Sequence, residues 1–566
     1  MRPSKLAILP CVLLTLCWLV GVPAASGRIA PSVETWLESA SAGDCVALWV
    51  FFTDKGVHTG ADVQAMLGKV AARYDAGAVE RRLRAKPEGP FDESDLPLHK
   101  PYVDALRAEG VEFRTFSKWL NAASIVATPP QVRRIADLPF VSLMRRVSGR
   151  AGGPEPITWD EGGKETGALY QYGQAWTQLT QIQVPQLHDE GYTGTGVKVA
   201  IFDTGFWRDH EVFANLNVIA EHDFINNDDS TANQAGDPTT QHDHGTMCLS
   251  LLAADKPGTM MGAAFDADYI LAKTEDVADE RPIEEDWWIA AAEWADSLGA
   301  RVISSSLCYT DWYTYEDMDG ATAPITIAAD MAAANGIVVV NAAGNSGASE
   351  WKYIGAPADG DSVISVGAVD SLGVRASWSS QGPTYDGRIK PTIMAMGRAD
   401  FIASTAGTTV YRRGSGTSFA TPLTAGAIAL MLEKHPNWLP GNVIEAITAT
   451  GTRSSNPDTL YGWGILRAYD ASNYVPSGIG SGSTLASRLE VYPNPCRTGF
   501  FINYAGGGTR GSVRVFDVAG RLIGRLGLEP SGPTEVRLDE AIPGVAPGVI
   551  FVELPSRAKA KVLILK

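Results

Sequence analysis

Cysteine is the scarcest residue type in this 566-residue chain, with six copies, and two of them, Cys11 and Cys17, fall in an apolar N-terminal run. The other four, Cys45, Cys248, Cys308 and Cys496, stand far apart, at neither disulfide-framework nor metal-ligand spacing. A chain this long can build its core without staples, so no disulfide scaffold is expected. Cys248 and Cys308 sit in apolar contexts and read as buried thiols. Basic residues are also short. The 47 Lys and Arg against 64 Asp and Glu leave a net charge of −17, which argues against a general binder of nucleic acid or anionic membranes. Past the N-terminus no run is long and apolar enough to cross a bilayer. With 8 histidines the choice of general bases is narrow. What is present, 45% hydrophobic and 20% charged residues, is the balance of a globular protein of three or four domains.

Composition divides the chain. Arg2 and Lys5, the apolar run Leu6 to Val22 and the small residues Pro23 to Gly27 have the order of a cleavable secretory signal, expected over 1–27. Residues 28–165 are expected to form a small α+β domain and linker. Cys45 to Phe52 is its buried strand, a helix covers Tyr102 to Glu109, and strands follow at Val111 to Phe116, Trp119 to Val126 and Val141 to Val147. The glycine-rich stretch from Ser148 to Gly167 reads as an exposed linker. Residues 168–475 alternate strands with helices, which predicts a parallel sheet covered by helices on both faces. The tryptophans of the helix Glu284 to Leu298 recur at helical spacing and read as core packing. A Gly/Ser-rich linker is expected over 476–487, and short β runs over 488–566 predict a small all-β sandwich. That last segment carries 11 Lys/Arg and 7 Asp/Glu, +4 against −21 for the rest, as a separate module would.

The stretch Gly414-Ser415-Gly416-Thr417-Ser418-Phe419-Ala420-Thr421-Pro422 runs into an Ala/Leu-rich helical pattern. Ser418 there is either a helix cap or a nucleophile facing the positive end of the helix. Serine attack on an amide needs a base, a carboxylate to orient the base, and donors for the oxyanion. The chain offers one of each: His244 in Asp243-His244-Gly245-Thr246, Asp203 closing a buried strand in Phe202-Asp203-Thr204-Gly205, and Asn345 in Asn341-Ala342-Ala343-Gly344-Asn345-Ser346-Gly347. Asp-Thr-Gly also marks one half of an aspartic-protease dyad, but no second copy occurs. His210, His222 and His242 are the rival bases.

These four motifs, in this order, resemble those of the subtilisin-like serine proteases over residues 168 to 475. The resemblance implies an Asp203, His244, Ser418 triad, with Asn345 as oxyanion donor beside the Ser418 N–H. It implies that substrate binds as an added β-strand along Ser304, Ser306 and Leu307, with Gly344 at the pocket. Cys308 and Tyr309 replace the glycines usual there. The N-terminal domain resembles the family's inhibitory propeptide through Lys118 to Ala123 and Phe140-Val141, with the stretch from about 57 to 100 outside that likeness. The chain's own propeptide would then be its intramolecular inhibitor. Val491 to Pro495 and the basic β run Lys559 to Lys566 resemble the type IX secretion sorting modules of exported bacterial proteins, as they do Ig-like modules without an export role. No cofactor is expected in catalysis. An acidic loop with Asp223, Asp228 and Asp229 has oxygen ligands suited to structural calcium. The expectation is a secreted serine endopeptidase made as a zymogen. A catalytically silent surface-binding protein and a protease dedicated to one peptide are the alternatives.

Overall fold

The computed structural model describes residues 28–56, 59–147, 170–278 and 281–477, with strand segments between 488 and 564. The expected signal segment, the linker through 148–167, the stretch 478–487 and Pro493 to Pro495 lie outside the described residues. The chain divides into two units, Met1–Ser472 and Asn473–Lys566.

The first unit begins with helix α1 (Pro31–Ser39) and a four-stranded antiparallel sheet in the order β2-β3-β1-β4. Its strands are β1 (Val46–Phe52), β2 (Glu112–Ser117), β3 (Ala122–Ala127) and β4 (Val141–Val147). Strand β1 explains why the sequence reads as buried on both sides. Val46, Leu48, Val50 and Phe52 pack with α1, α4 (Lys100–Ala108) and α5 (Pro129–Ala136), while Ala47, Trp49 and Phe51 face a second core beyond the sheet. The period of two puts successive side chains on opposite faces, and here both faces are covered. The expected strand from Trp119 starts instead at Ala122. Asn121 has φ 49°, and its Nδ2 donates to the Phe52 and Asp54 carbonyls at 3.2 and 3.0 Å, so residues 118–121 form a turn. Two further helices, α2 (Gly60–Ala71) and α3 (Ala76–Ala85), form a lobe beside this sheet.

After the short helices α6 (Trp176–Gln181) and α7 (Val184–Asp189) comes a seven-stranded sheet. Its strands are β5 (Lys198–Asp203), β6 (Asn217–Asp223), β9 (Asp268–Lys273), β10 (Val302–Ser305), β11 (Val338–Ala342), β12 (Ile364–Val369) and β13 (Ile393–Met396). A two-residue hairpin, β7 (Asp255–Lys256) with β8 (Met260–Met261), precedes β9. The order β13-β12-β11-β10-β5-β9-β6 is parallel throughout, as the alternating pattern predicted. Strands β6, β9 and β13 escaped the sequence reading. Chain order departs in opposite directions from the β5–β10 boundary, and such a boundary leaves a crevice at the carboxyl ends of the strands.

Helix α11 (Thr417–Lys434) is buried along its length through Leu432, which suits a helix apolar on every side. It packs against α8 (Asp243–Ala253), a helix the sequence did not announce. On the other side of the sheet, α9 (Ile283–Ser297) and α10 (Pro324–Ala334) receive the N-terminal sheet. Trp49, Trp119, Leu120 and Ala122 share one core with Trp288, Ile289, Ala292 and Ala328. Trp288 is fully buried, with its indole N–H on Ser305 Oγ at 3.0 Å, while Trp294 packs only at the margin of this core. The β14 (Asp400–Ala403) and β15 (Tyr411–Gly414) hairpin leads into α11, and α12 (Pro440–Thr450) follows it.

The second unit consists, among its described residues, of antiparallel sheets. Arg488–Tyr492, Gly499–Ala505 and Thr534–Arg537 form one; Leu522–Leu528, Gly511–Asp517, Gly548–Glu553 and Lys559–Ile564 form the other.

Candidate active site

The carboxyl ends of β5, β10 and β11 and the starts of α8 and α11 converge at the crevice. Asp203 is the last residue of β5 and fully buried. Its Oδ1 accepts from the Thr204 N–H at 2.8 Å and lies 2.6 Å from His244 Nδ1. Gly245 makes this approach possible. A Cβ there would lie 2.2 Å from the Gly205 carbonyl oxygen and 3.1 Å from Asp203 Cβ, so only glycine lets the start of α8 abut the end of β5. With Nδ1–H donated to the carboxylate, Nε2 carries the lone pair and is free to act as a base. Burial works against protonation of His244, but the Asp203 carboxylate outweighs it and holds the imidazole well above 6.5.

Ser418 is the second residue of α11, and Gly416 is the N-cap. Helix capping is therefore not the role of Ser418. Its carbonyl accepts from Ser306 Oγ at 2.8 Å and Cys248 Sγ at 3.4 Å, fixing the first turn of the helix against β10 and α8. Its hydroxyl donates to the Ser306 carbonyl at 3.3 Å, and among the described residues no hydrogen bond joins it to His244. A rotation about χ1 separates these arrangements, and such catalytic hydrogen bonds tighten only with substrate in place. Asn345 follows β11. Its Oδ1 accepts from the Thr417 N–H at 2.8 Å and from Thr417 Oγ1 at 3.0 Å, which fixes the amide orientation and leaves Nδ2 as the outward donor. A Cβ built on Gly416 would stand 3.7 Å from Ser418 N and 3.8 Å from Asn345 Nδ2, so both donors border one small space.

A cleft of about 400 Å³ opens over these groups and includes Ser306, Leu307, Cys308 and Gly344 in its wall. Ser304 belongs elsewhere. It pairs with Ile201 of β5 and Val340 of β11, so it lies inside the sheet with no free edge to offer a peptide. The accessible segment begins where β10 ends, at Ser306. Cys308 and Tyr309 also part company. Tyr309 turns into the core, donating from its hydroxyl to Glu275 Oε2 at 2.7 Å, whereas Cys308 Sγ stands 2.8 Å from where a Gly344 Cβ would be. Of the two residues, Cys308 lines the cleft and Tyr309 does not.

The rival histidines have other partners. His210 bonds the Val410 carbonyl at 2.9 Å, His222 pairs with Asp229 at 3.0 Å, and His242 Nδ1 accepts from the Asn233 N–H at 3.1 Å. In the acidic loop, the Lys273 ammonium sits 2.8 Å from Asp223 and 2.7 Å from Asp237. Asp228 accepts from the Ser230 N–H and Gln234 Nε2 at 2.9 and 3.0 Å, and Asp229 is largely exposed. Of the three expected calcium ligands, Asp223 is thus paired with a lysine of the chain itself.

One residue of the site carried no signal beyond an apolar context. Cys248 is buried, with Sγ 3.9 Å from each nitrogen of His244. Asp203, His244 and Cys248 bring ligand atoms within 4.8 Å of one another, a donor set able to hold a soft metal. An ion there would occupy the base and its orienter. The helical spacing of residues 244 and 248 could have suggested the proximity, had α8 been expected.

A profile of the Bacteroidota propeptide domain of S8 peptidases matches residues 47–153, running through the 57–100 stretch that the resemblance left out. Subtilisin E of Bacillus subtilis (strain 168) is 32% identical over 371 residues, 65% of this chain and 85% of the relative. Subtilisin of Bacillus pumilus is 36% identical over 296 residues, 52% of this chain and 97% of the relative. The alkaline protease of Alkalihalobacillus alcalophilus is 32% identical over 300 residues, 52% and 69% of the respective chains. The profile of the subtilase family matches residues 194–464, the span that holds the seven-stranded sheet and all four converging side chains, and the chain belongs to that family.

Proposed function

We propose that, in this subtilisin-family serine endopeptidase with a propeptide domain, Ser418 attacks the scissile carbonyl, His244 takes its proton and returns it to the leaving amine, and Asp203 orients the imidazole and stabilises its positive charge. The Ser418 N–H and Asn345 Nδ2 receive the oxyanion. The observation that carries this reading is the 2.6 Å contact of the buried Asp203 with His244 beside the start of α11. Peptide substrate runs along the segment from Ser306, with Gly344 and Cys308 at its pocket. The signal-like N-terminus supports secretion, and the C-terminal β unit is a sorting or Ig-like module for the exported protein. A fluorophosphonate probe tests the assignment. We expect one adduct per chain in the processed protein, mapped by peptide mass spectrometry to Ser418. Absence of labelling, or an adduct on another residue, would overturn it.

The same geometry sets a pH dependence. Base catalysis requires neutral His244, so kcat/KM rises with pH through the imidazole pKa. Because Asp203 raises that pKa, the acid limb is expected above 6.5. Asp203→Asn removes the raising charge and should move the limb of its residual activity to lower pH. A limb unmoved by this substitution in the pH–rate profile would assign it to another group.

A further inference from the structure

The lobe formed by α2 and α3 meets the central domain at the C-terminal ends of α9 and α10, through residues that do not line the cleft. Arg81 and Arg82 of α3 are fully buried there against Asp296, in the last turn of α9. The two arginines are held differently. Arg82 is organised by its own lobe: Asp95 grips it with bonds of 2.9 and 2.8 Å, and its guanidinium lies 5.0 and 4.8 Å from the Tyr74 and Phe91 ring centres. From that frame it reaches Asp296 Oδ2 at 2.5 Å. Among the described residues, every side-chain hydrogen bond of Arg81 runs instead to the central domain. It donates to Asp296 Oδ1, to the Asp296 and Ala300 carbonyls at 3.2 and 2.5 Å, and to the Asn335 carbonyl at 3.1 Å.

These acceptors make one pocket. Helix α9 ends beside Ala300 and α10 ends at Asn335, so two negative helix ends meet there, and Asp296 adds a full negative charge at the end where helices favour cations. Among the described residues, the Asp296 carboxylate has only Arg81 and Arg82 as side-chain partners. Neighbouring central-domain cations are engaged on carbonyls: Lys198 on Leu298 at 3.0 Å and Arg301 on Trp438 at 3.1 Å. The floor is cut to fit a helix. A Cβ at Gly299 would lie 3.2 Å from Ala78 N, and one at Gly336 would lie 3.1 Å from Arg81 Cγ. Asp75, just before α3, closes the contact by accepting from Lys198 at 3.0 Å.

We propose that this pocket is a guanidinium-binding exosite of the mature protease, occupied in the precursor by Arg81 and Arg82, and that it sets how long the cut propeptide stays bound. The inference rests on the reading of the N-terminal domain as an inhibitor that is cut from the chain. A propeptide held only by its sheet would leave when the sheet peels from α9 and α10. The α3 clamp adds a second attachment that must break separately, and two linked attachments dissociate far more slowly than one. Once emptied, the pocket presents a carboxylate and carbonyls with no donor, a receptor for a helix bearing adjacent arginines.

The test compares full-length wild type with Arg81→Ala and Arg81→Lys, which yield the same mature enzyme once the propeptide is gone. Co-elution of the cut N-terminal fragment with the protease reads binding directly, and hydrolysis of a fluorogenic peptide reads latency. Losing one partner of a buried hydrogen-bonded charge pair acts mainly on dissociation, so we expect the fragment to leave about a hundred-fold faster from Arg81→Ala. We expect about ten-fold for Arg81→Lys, whose point charge cannot reproduce the fork. Unchanged lifetimes in both variants would overturn the proposal. Should Arg81→Ala fail to fold, wild type treated with amidated Arg-Arg dipeptide decides: faster fragment loss than with amidated Lys-Lys supports the exosite, and equal loss overturns it. Wild type that is active while the fragment still co-elutes would refute the inhibitor reading, and fragment lifetime would still decide the exosite.

Discussion

Full-length Ser418→Ala is expected to accumulate as an uncut chain and to hydrolyse peptides about a million-fold more slowly than wild type, the size of loss that removal of the nucleophile causes in subtilisin itself. The loss is this large because the triad acts as a unit. His244 and Asp203 accelerate nothing once no hydroxyl is present to deprotonate, and the remaining rate comes from the oxyanion donors and substrate binding. The fold should be untouched. Among the described residues the Ser418 side chain makes one hydrogen bond, to the Ser306 carbonyl at 3.3 Å, whereas the bonds that the Ser306 and Cys248 side chains donate to the Ser418 carbonyl survive. Electrophoresis and peptide turnover, with thermal unfolding as the control, check this. A variant that is cut normally and keeps measurable turnover would remove Ser418 from the chemistry.

Asn345 gives the second large effect, and here the structure refines a simpler expectation. Loss of an oxyanion donor costs about 2.7–4 kcal/mol, or hundreds-fold in kcat, in subtilisin's own case. Asn345→Ala should reach that range, but it also deletes the acceptor of the Thr417 N–H and hydroxyl, so a modest loss of stability accompanies it. Asn345→Asp separates the two effects. Its carboxylate still accepts from Thr417, while the outward donor becomes a negative oxygen facing the developing oxyanion. We expect kcat to fall at least as far as in Asn345→Ala with KM little changed and the melting temperature closer to wild type. Equal kcat for wild type and Asn345→Asp would exclude the amide N–H from the oxyanion site.

The parts of the site that could be read from sequence share a property: each is local. Phe202-Asp203-Thr204-Gly205 shows a buried strand closing on a carboxylate, and the small residues around His244 and Ser418 show where backbone must come close. Order along the chain then joined them, because subtilases present Asp, His and Ser in that sequence. Ser304 shows where local reading failed. Its motif looked like an edge, but whether a strand has a free edge depends on what lies on either side, and β5 and β11 flank it. Cys248 was missed for a related reason, since its contact with His244 exists only once α8 forms. In the acidic loop, the partner of Asp223 and Asp237 is Lys273, which lies far along the chain and so left no local signal.

By itself the sequence determined the family, the parallel α/β architecture and the four side chains at the crevice. Repeating apolar periods and glycine-spaced motifs are written in neighbouring residues, and short-range sterics enforce them wherever the chain folds. Only the tertiary structure decided that Cys308 rather than Tyr309 faces the cleft, that Ser306 begins the accessible segment, and that Arg81 meets Asp296 across 215 positions. Those outcomes depend on which elements the sheet order and the two-sided burial of β1 bring together. No local preference encodes a contact whose partners acquire a common surface only after the N-terminal domain has packed on α9 and α10.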